Sequence, residues 1–456
     1  MRDQSIDFNQ QFKLSVVEKD VIVIGNGPAG LSASFLLAGH HPIYNGTGHP
    51  DPMLSARLSS LSEGESLMSE EKLQFLAQGM DEYGGTSLVG TLFDTLMRPG
   101  AVTGLDILSP VTWSLALPID HVVLGDGPPG GIWQRLDPDL LTLSLSSWME
   151  LPGLRISSDS QQQRITAKEV AEYYKRYVME LGLSRYYEEC RVVSVRHLQK
   201  MPKTNWEVIT EDANGNRIIY QSRFIILATG SCIPKKLGIR GEDENNIVHD
   251  LLSFEEKLSN FTDRHCRVLV IGSGLSAADA VLLARFRNCQ VIHSFRADDV
   301  TLGSMLPESM YPEYHKVHQM MKHNHGYPGY FAYGGSTVSD LQSNHAIINV
   351  PSHSKPIIVE FDVCAVLIGS HSDLSFLNNF TSGLELTRNE EMREIDPKRN
   401  PVVVDPWTYE TSRFKGIGLH AIGSLVGDIY VRYIPGGAVA AVSHIVNTIK
   451  ICNNAH

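Results

Sequence analysis

The stretch Val21-Ile22-Val23-Ile24-Gly25-Asn26-Gly27-Pro28-Ala29-Gly30 decides the fold of this 456-residue chain. Its first four residues are β-branched and apolar, a pattern typical of a strand that is buried on both faces. The glycines fit the spacing G-x-G-x-x-G, and the apolar residues Leu31, Phe35 and Leu36 predict a helix after the turn. A strand, a glycine-rich turn and a helix in this order predict a βαβ unit that binds a dinucleotide.

Each glycine of this turn has its own physical purpose. Gly25 allows the tight turn, Gly27 lets the backbone approach a pyrophosphate, and Gly30 permits close contact between helix and strand. Pro28 and Ala29 occupy the first helical positions, where the helix dipole favours an anion. A tight strand–helix turn that binds nothing is the alternative.

An acidic residue that would hold a ribose is absent at its usual place, about 20 positions further on. Asn45 stands there, at the end of the predicted strand Pro42–Asn45. Either Asn45 takes the role more weakly, or the second strand is His121–Leu124 and Asp126 supplies the carboxylate. Residues 46–119 are polar, rich in glycine and weakly helical, and they are interpreted as an insertion or lid.

The same pattern returns in the middle of the chain. Val268-Leu269-Val270-Ile271 predicts a buried strand, and the turn after it fits G-x-G-x-x-A. A helix is expected from Ala277 to about Phe286, followed by the strand Val291–Ser294. The predicted contacts of this second dinucleotide site are Gly272, Gly274, Leu275, Ser276 and Ala277.

Arg296 comes two residues after this last strand and indicates which nucleotide the second site prefers. An acid there would bind the ribose hydroxyl of NAD, whereas an arginine favours the 2′-phosphate of NADP. Ser294 can add a hydrogen bond. Asp298 and Asp299 follow directly and would repel a phosphate, so a solvated arginine is the alternative. The residue types favour NADPH.

Two buried strands carry the chain between the two nucleotide units. Ile226-Leu227-Ala228-Thr229-Gly230 precedes the second unit, and Val366-Leu367-Ile368-Gly369-Ser370 closes it. We therefore predict an α/β fold with two Rossmann-like domains, the second inserted in the first. The first domain comprises residues 1–260 and 385–456, and the second comprises residues 261–384.

Composition and charge exclude several classes of protein. The net charge of −12 argues against nucleic acid or an anionic membrane as the main partner. Six scattered cysteines without a C-x-x-C pair argue against a zinc ribbon or a dithiol centre and suit a reducing compartment. No apolar run is long enough to span a membrane, and a cytoplasmic protein is expected.

A cluster of histidines is the one pattern that could suggest a metal. None has a carboxylate or cysteine at ligand spacing, so no metal site is predicted. The cluster consists of His315, His318, His323 and His325.

In their order, the motifs resemble those of the class B flavin-dependent monooxygenases and, more closely, those of the oxidative stress-induced growth inhibitor family. The blocks extend over nearly the whole chain. They are GNGPAG at 25–30, PPGGIW at 128–133, WMELP at 148–152, IGSGLSAADAVLLAR at 271–285, VIHSFR at 291–296, LPESMYPEYHKVHQMM at 306–321, VLIGSHSDLSFL at 366–377, KRNPVVVDPWTYE at 398–410 and GSLVGD at 423–428.

The resemblance implies that the first turn binds FAD and the second binds NADPH. It adds Gly131 and Trp133, where the tryptophan either packs in the core or lies beside the flavin. It also adds the turn at Gly423 and the start of the last helix, whose free amides would face the flavin edge that becomes negative on reduction. The further FAD contacts implied are Ala228, Thr229, Gly230, Gly423, Asp428, Gly436 and Gly437.

Three departures from the family pattern concern the FAD site. The ribose acid is absent at its usual spacing. Flavin monooxygenases place an asparagine after G-G-x-W, where this chain has Leu141-Thr142-Leu143-Ser144. The glycine–aspartate pair that commonly binds the ribityl chain reads Gly423-Ser424, so FAD would depend on Asp428 and on the backbone.

For the activity, the resemblance implies an FAD-dependent, NADPH-consuming monooxygenase. Reduced FAD would react with O2 to form a C4a-peroxyflavin that transfers one oxygen atom to an unknown small molecule. Water must be kept away, because leakage releases hydrogen peroxide, and residues 46–119 and 301–335 are the candidate lids. Arg432, just before the last helix, either faces the flavin or is a surface residue. No catalytic side chain is assigned.

Two other functions remain open. One is an NADPH oxidase or reductase that releases hydrogen peroxide, and the other is a catalytically quiet cofactor-binding regulator of growth or stress. A disulfide reductase is disfavoured, because no cysteine pair follows the first helix. The expected partners are a small-molecule substrate and O2, with a homodimer among the assemblies that the sequence permits.

Overall fold

The computed structural model describes residues 15–80, 87–101, 103–156, 163–198, 204–261, 266–297, 307–323, 326–378, 380–389, 391–392 and 394–454. The chain divides into two compact units. Unit 1 comprises Met1–Gln134, Pro138–Ser231 and Ser372–His456, and unit 2 comprises Arg135–Asp137 and Cys232–His371.

The strands of the described residues number in chain order as β1 (Val16–Ile24), β2 (His40–Tyr44), β3 (Val111–Leu115), β4 (His121–Gly125), β5 (Leu141–Leu145), β6 (Arg164–Thr166), β7 (Tyr187–Glu189), β8 (Arg191–His197), β9 (Trp206–Glu211), β10 (Arg217–Leu227), β11 (Ile233–Pro234), β12 (Ile247–Val248), β13 (Arg267–Ile271), β14 (Gln290–Ser294), β15 (Tyr330–Tyr333), β16 (Thr337–Leu341), β17 (His345–Asn349), β18 (Ile357–Glu360), β19 (Val363–Val366), β20 (Ser370–His371) and β21 (Leu419–Ala421).

The α-helices are α1 (Pro28–Leu37), α2 (Pro52–Leu58), α3 (Glu70–Leu76), α4 (Leu88–Met97), α5 (Ala167–Glu180), α6 (Leu251–Ser259), α7 (Leu275–Phe286), α8 (Pro312–Lys322) and α9 (Ile434–Asn454). Short 3-10 turns lie between them, among them Gly131–Gln134, Gly423–Val426 and Val431–Tyr433.

The main sheet of unit 1 has the strand order β7-β4-β1-β10-β9-β8, and β21 also pairs with β10. β1 runs parallel to β4 and to β10, so that Val23 lies opposite both Val123 and Ile226. Val21, Ile22 and Val23 have no exposed surface, as expected for a strand with both faces covered.

The pairing of β4 decides between the two candidates for the second strand of this unit. β4 is the parallel neighbour of β1, whereas β2 pairs only with β3 in a separate antiparallel sheet. The second strand is therefore His121–Gly125, with Asp126 directly after it. Pro42–Asn45 was the wrong alternative, because the chain first makes the insertion and only then returns to the sheet.

The insertion at 46–119 belongs to the hydrophobic core of unit 1 in its described parts. Its apolar residues pack with α1 and α9 in one buried cluster. Leu58, Leu73 and Phe93 have no exposed surface. α4 approaches α9 so closely that a Cβ on Gly436 would lie 2.2 Å from the carbonyl oxygen of Val89.

Unit 2 is built on a parallel sheet with the strand order β12-β19-β13-β14-β15. β13 lies between β19 and β14, with Ile271 opposite Val366 and Ser294. A small antiparallel sheet of β16, β17 and β18 accompanies it. This is the mixed α/β arrangement that the sequence predicts for an inserted nucleotide-binding unit.

The boundaries of the units differ from those that the sequence predicts, 260/261 and 384/385. β12, before residue 261, pairs with β19 and so belongs to unit 2. At the other end, Leu374, Leu377 and Phe380 are buried with the strands of unit 1. Neither segment carries a sequence signal that marks a domain boundary, so only its packing assigns it to a unit.

Two local predictions show where the sequence pattern suffices and where it does not. Thr166 caps α5 and forms a capping box with Glu169, as its sequence spacing predicts. In the sequence, residues 217–220 and 224–227 predict two short strands, but the structure has one continuous strand, β10. Gln221 and Ser222 continue the ladder, because β1 and β9 both extend far enough to pair with them.

Candidate functional site

The first glycine turn lies in unit 1, between β1 and α1. Gly25 has a φ of 113°, and a Cβ there would lie 2.3 Å from the carbonyl oxygen of Ala228. A Cβ on Gly30 would lie 1.9 Å from the carbonyl oxygen of Gly25. A Cβ on Gly27 would have as its nearest neighbour the Cα of Gly131 at 4.0 Å. Gly25 and Gly30 therefore allow close backbone contacts within the turn, and Gly27 leaves space beside it.

The helices that begin at the two glycine turns have no side-chain cap. α1 begins after Gly27 and α7 after Gly274, and neither has an acidic residue in its first turn. In contrast, α2 to α6 each have a capping side chain that accepts a hydrogen bond from a backbone N–H. The capping residues are Asp51, Ser69, Ser87, Thr166 and Asp250. The starts of α1 and α7 thus keep the positive end of the helix dipole available to an anion.

Two further segments of unit 1 meet the first turn. Thr229, which follows β10, has a buried hydroxyl without a hydrogen-bond partner among the described residues. On the other side, a Cβ on Gly423 would lie 2.8 Å from the Cβ of Ala29. The Oγ of Ser424 would lie 3.7 Å from a Cβ on Gly230. The structure therefore brings Ala29, Ala228, Thr229, Gly230 and Gly423 together, as the sequence predicts.

The G-G-x-W element also lies against this turn. A Cβ on Gly131 would lie 3.0 Å from the Cα of Gly27, so the two backbones are in close contact. The N–H of Gly130 donates to the carbonyl oxygen of Asn26 at 2.9 Å. Trp133 is half-buried and packs against the hydrophobic core of unit 1, which favours the core alternative for its ring.

Asp126 and Asn45 differ in their surroundings. Asp126 is exposed and directly follows β4, the parallel neighbour of β1. Asn45 follows β2, where its amide donates to the carbonyl oxygen of Ser109 at 2.9 Å and its Oδ1 accepts from the N–H of Thr47. Its side chain holds a local turn, so Asp126 replaces Asn45 as the candidate ribose acid.

Asp428, for which the sequence predicts a contact with FAD, is buried in unit 1. Its carboxylate accepts hydrogen bonds from the N–H of Ser87 at 3.2 Å and from the hydroxyl of Tyr409 at 2.8 Å. Burial raises the pKa of Asp428 to about 6. The carboxylate thus connects the start of α4 to the segment before α9.

Gly436 and Gly437 are buried, and both are needed for packing. Gly436 allows the approach of α4 described above. A Cβ on Gly437 would lie 2.6 Å from the ring of Tyr409 and 3.2 Å from Oδ2 of Asp428. Packing therefore requires glycine at both positions, and the contact of their backbone amides with the flavin stays a prediction.

Arg432 is half-buried and is paired with other charged residues. Its guanidinium forms an ion pair with Asp94, and Asp94 also pairs with Arg98 at 3.2 Å. The guanidinium carbon lies 4.2 Å from the ring centroid of Trp148. Burial lowers the pKa of Arg98. Arg432 thus fixes the segment before α9 to the insertion.

The second glycine turn, in unit 2, is built like the first. Gly272 has a φ of 142°, and a Cβ there would lie 2.2 Å from the carbonyl oxygen of Leu367 at the end of the neighbouring strand. A Cβ on Gly274 would meet nothing within 4 Å. Ser276 is exposed, Leu275 is half-buried, and Ala277 is buried at the third position of the motif.

His293 holds this second turn in place, and sequence reasoning missed it. Its Nε2 lies 2.7 Å from the carbonyl oxygen of Gly272, and its Nδ1 lies 2.8 Å from the hydroxyl of Tyr330. Because a carbonyl only accepts, Nε2 carries the proton and Nδ1 accepts from Tyr330. Burial lowers the pKa of His293 to about 4, so the ring is neutral at pH 7. Alternation along β14 places this side chain, but only the fold shows its partner.

Ser294 and Arg296 lie at the end of β14 as predicted, but in different surroundings. Ser294 is buried, and its hydroxyl is 2.8 Å from that of Ser336, so it supports the strand rather than a ligand. Arg296 is exposed. Within the described residues, its guanidinium has no hydrogen bond or ion pair, which leaves it available to a phosphate. Asp298 and Asp299 lie outside the described residues.

His315 and His318 lie on α8, and His323 follows it. His325 lies outside the described residues. Across the described ranges, no three His, Cys, Asp or Glu side chains are placed to hold a metal ion. Within the same ranges, none of the helices combines the length and the apolar composition that crossing a membrane requires.

Comparisons with known proteins agree with this geometry. The family model described as pyridine nucleotide-disulphide oxidoreductase matches residues 141–401, more than half of the chain. In solved structures, the chain is similar to the bacillithiol disulfide reductase of Bacillus cereus, with a TM-score of 0.61 and 16% identity over 94% of this chain and 99% of that one. It is also similar to a flavin-containing monooxygenase of Stenotrophomonas maltophilia, with a TM-score of 0.56 and 16% identity over 96% and 99%. At 16% identity, these two structural similarities support the fold only.

A relative with a curated description is closer in sequence. The chain is 35% identical over 460 residues to oxidative stress-induced growth inhibitor 1 of Mus musculus, covering 93% of this chain and 95% of the mouse protein. The family resemblance predicted from the motifs is thereby confirmed. This chain belongs to the oxidative stress-induced growth inhibitor family and, through residues 141–401, to the pyridine nucleotide-disulphide oxidoreductases, which are flavin-dependent oxidoreductases.

Proposed function

We propose that this chain is an oxidoreductase with two Rossmann-like domains, FAD in unit 1 and NADPH in unit 2. One observation carries the proposal: α1 and α7 begin at glycines without a capping side chain, while α2 to α6 are capped. Each open helix start follows a strand that is central in a parallel arrangement, where dinucleotides bind in this class of fold.

The residues around the first turn fit FAD. The backbone amides of Ala29 and Gly30 lie at the uncapped helix start where the pyrophosphate is expected, and the exposed Asp126 follows β4 where the adenosine ribose is expected. The buried, unpartnered hydroxyl of Thr229 is one polar atom that a ligand would satisfy.

The residues around the second turn fit NADPH. Gly274 leaves the pyrophosphate position open, and Ser276 is exposed beside it. Arg296 supplies a cation where the 2′-phosphate is expected. FAD would supply the redox chemistry, because a bound flavin accepts a hydride from NADPH and passes the electrons on.

For the reaction, we propose a monooxygenase that acts on a small molecule with O2. The motif order, which resembles that of the class B monooxygenases, supports this. One observation favours an NADPH oxidase as the second candidate. Where the monooxygenases place an asparagine, the hydroxyl of Thr142 donates to the carbonyl oxygen of Ser144 and accepts from the N–H of Ile165. That segment takes part in the antiparallel pairing of β5 with β6 and has no side-chain amide.

Anaerobic stopped-flow spectroscopy tests the proposal. The purified protein is mixed with NADPH, flavin absorbance is followed, and the reduced protein is then mixed with O2. We expect bound FAD and its reduction by NADPH. Slow return of the oxidised flavin spectrum with little hydrogen peroxide would support the monooxygenase, and immediate return with stoichiometric peroxide would support the oxidase. A purified protein that neither carries nor takes up FAD would refute both candidates.

A further inference from the structure

Asn26 occupies a position of the first glycine turn to which the motif assigns no role. It is 5% exposed, and its amide group faces the loop 125–131. Nδ2 lies 2.7 Å from the carbonyl oxygen of Gly127, 3.1 Å from that of Pro128 and 2.6 Å from the hydroxyl of Tyr187. Because both carbonyls only accept, the nitrogen must face them, and its two hydrogens are shared among three oxygens.

Tyr187 extends the same network. Its hydroxyl accepts from Asn26 and donates to the carbonyl oxygen of Gly127. Burial raises the pKa of Tyr187 to about 12, so the phenol keeps its proton in neutral solution and remains a donor. Tyr187 begins β7, which pairs with β4. Three segments that are distant in sequence therefore meet at one amide.

The backbone around this amide is shaped to admit it. A Cβ on Gly125 would lie 2.3 Å from both Cγ and Nδ2 of Asn26, so only glycine fits there. The carbonyl oxygen of Asn26 also accepts from the N–H of Gly130. Asp126 lies between Gly125 and Gly127, so the network holds the residue on each side of the candidate ribose acid.

The insertion explains why such a clamp is needed. In an uninterrupted βαβ unit, the helix leads directly into the second strand and fixes the distance from the glycine turn to the acid. Here the chain leaves after α1, makes the insertion, and reaches β4 only at His121. The loop after β4 must therefore be positioned through side chains.

We infer that Asn26, together with Tyr187, positions the loop 125–131 and thereby makes the first site selective for FAD over FMN. The inference rests on the proposed function, because it concerns how FAD is held. Asp126 would contact the adenosine ribose, which FMN lacks. A displaced loop therefore weakens the contacts made to the adenosine half and spares those made to the flavin half. Asn26 is thus a positioning residue, since it acts through Asp126 and the loop.

The test compares the dissociation constants of FAD and FMN, measured by fluorescence titration of the full-length apoprotein. In Asn26→Asp, a carboxylate of the same shape faces two carbonyl oxygens and cannot donate. We expect the dissociation constant of FAD to rise at least about tenfold and that of FMN to change less than about threefold. Equal changes for both flavins, or no change for either, would overturn the inference.

Further variants guard against simple loss of folding. Tyr187→Phe keeps the ring and removes the hydroxyl. It should weaken the binding of FAD more than that of FMN, but by a smaller factor than Asn26→Asp does. Gly125→Ala should raise the dissociation constant of FAD as selectively as Asn26→Asp does, although Asn26 itself is unchanged. The matched control is Asn205→Asp, whose amide also donates to two backbone carbonyls of unit 1, those of Arg223 and Ile417. Asn205→Asp should leave the ratio of the FAD and FMN dissociation constants unchanged. A changed ratio in this control variant would count against a specific role of Asn26.

The result is separable from failure of the proposed function. If the wild-type chain binds neither flavin, the proposed function fails. In a different outcome, the wild-type chain binds FAD more tightly than FMN, while Tyr187→Phe leaves the ratio of the two dissociation constants unaltered. In that case the proposed function stands, and the positioning role of Asn26 and Tyr187 is refuted.

Discussion

The two glycine turns share one backbone design and differ in what holds them. At the first turn, the anchoring side chain is Asn26, which belongs to the turn itself and reaches out to another loop. At the second, the anchor is His293, which lies on the next strand and reaches in to the carbonyl oxygen of Gly272. The difference follows from chain connectivity. β14 comes directly after α7, whereas β4 comes only after a long insertion.

The third position of the motif should give the largest difference between the turns. Gly30→Ala would place a Cβ 1.9 Å from the carbonyl oxygen of Gly25, with no flexible side chain to move aside. We expect a loss of more than about 3 kcal/mol in the free energy of unfolding, or no folded protein. At the second turn Ala277 is already accommodated, so Ala277→Gly should cost only about 1 kcal/mol. Urea denaturation of both variants measures this, and equal losses would show that the two turns are not packed differently.

Acid should act on the second turn through His293. Its folded pKa of about 4 lies below the unfolded value of 6.5, so the unfolded state binds more protons between these values. The stability that the neutral ring contributes is complete above about pH 6.5 and is lost as the pH falls towards 4. From pH 7 to pH 5 we expect a loss of about 2 kcal/mol that His293→Gln does not show.

Asp428 in unit 1 should respond to pH in the opposite sense. Its folded pKa of about 6 lies above the unfolded 3.8, so its protonated form favours folding and that contribution is lost as the pH rises through 6. Comparing wild type, His293→Gln and Asp428→Asn by urea denaturation at each pH separates the two. A wild-type curve that matches His293→Gln at every pH would contradict the role given to the histidine.

The effect of intermediate size concerns nucleotide preference at the second turn. Arg296→Ala should raise the KM for NADPH about tenfold and leave the KM for NADH nearly unchanged, because only NADPH carries the 2′-phosphate. Steady-state reduction of an artificial acceptor by each nucleotide measures this. An equal rise for both nucleotides would mean that Arg296 does not recognise the phosphate.

Asp126 should matter only to the first turn, and its effect should be the smallest. Asp126→Asn is expected to raise the dissociation constant of FAD by about fivefold, since a hydrogen bond to an ionised group weakens but is not removed. Fluorescence titration with FAD measures it, and Asn45→Ala serves as the comparison. A stronger effect from Asn45→Ala would restore the alternative that the strand pairing argues against.

Sequence patterns were most reliable where one local rule decides the structure. β-branched runs before glycine turns predicted β1 and β13, and the Thr166–Glu169 spacing predicted the start of α5. They do not reveal which packing partners a residue takes from distant parts of the chain. Asp428, Gly436 and Gly437 fitted a ligand-binding segment by sequence, but their neighbours Ser87, Val89 and Tyr409 come from other parts of the chain.

The sequence by itself determined the two strand–turn–helix units, their order and the family, because these depend on residue types at short, fixed spacings. Only the tertiary structure decided that β4 is the partner of β1, that the insertion belongs to the core, and that Asn26 and His293 anchor the turns. Each of these is a contact between segments far apart in the chain. Short-range spacing carries no information on such pairings, and a buried donor or acceptor reveals its partner only when the chain has folded around it.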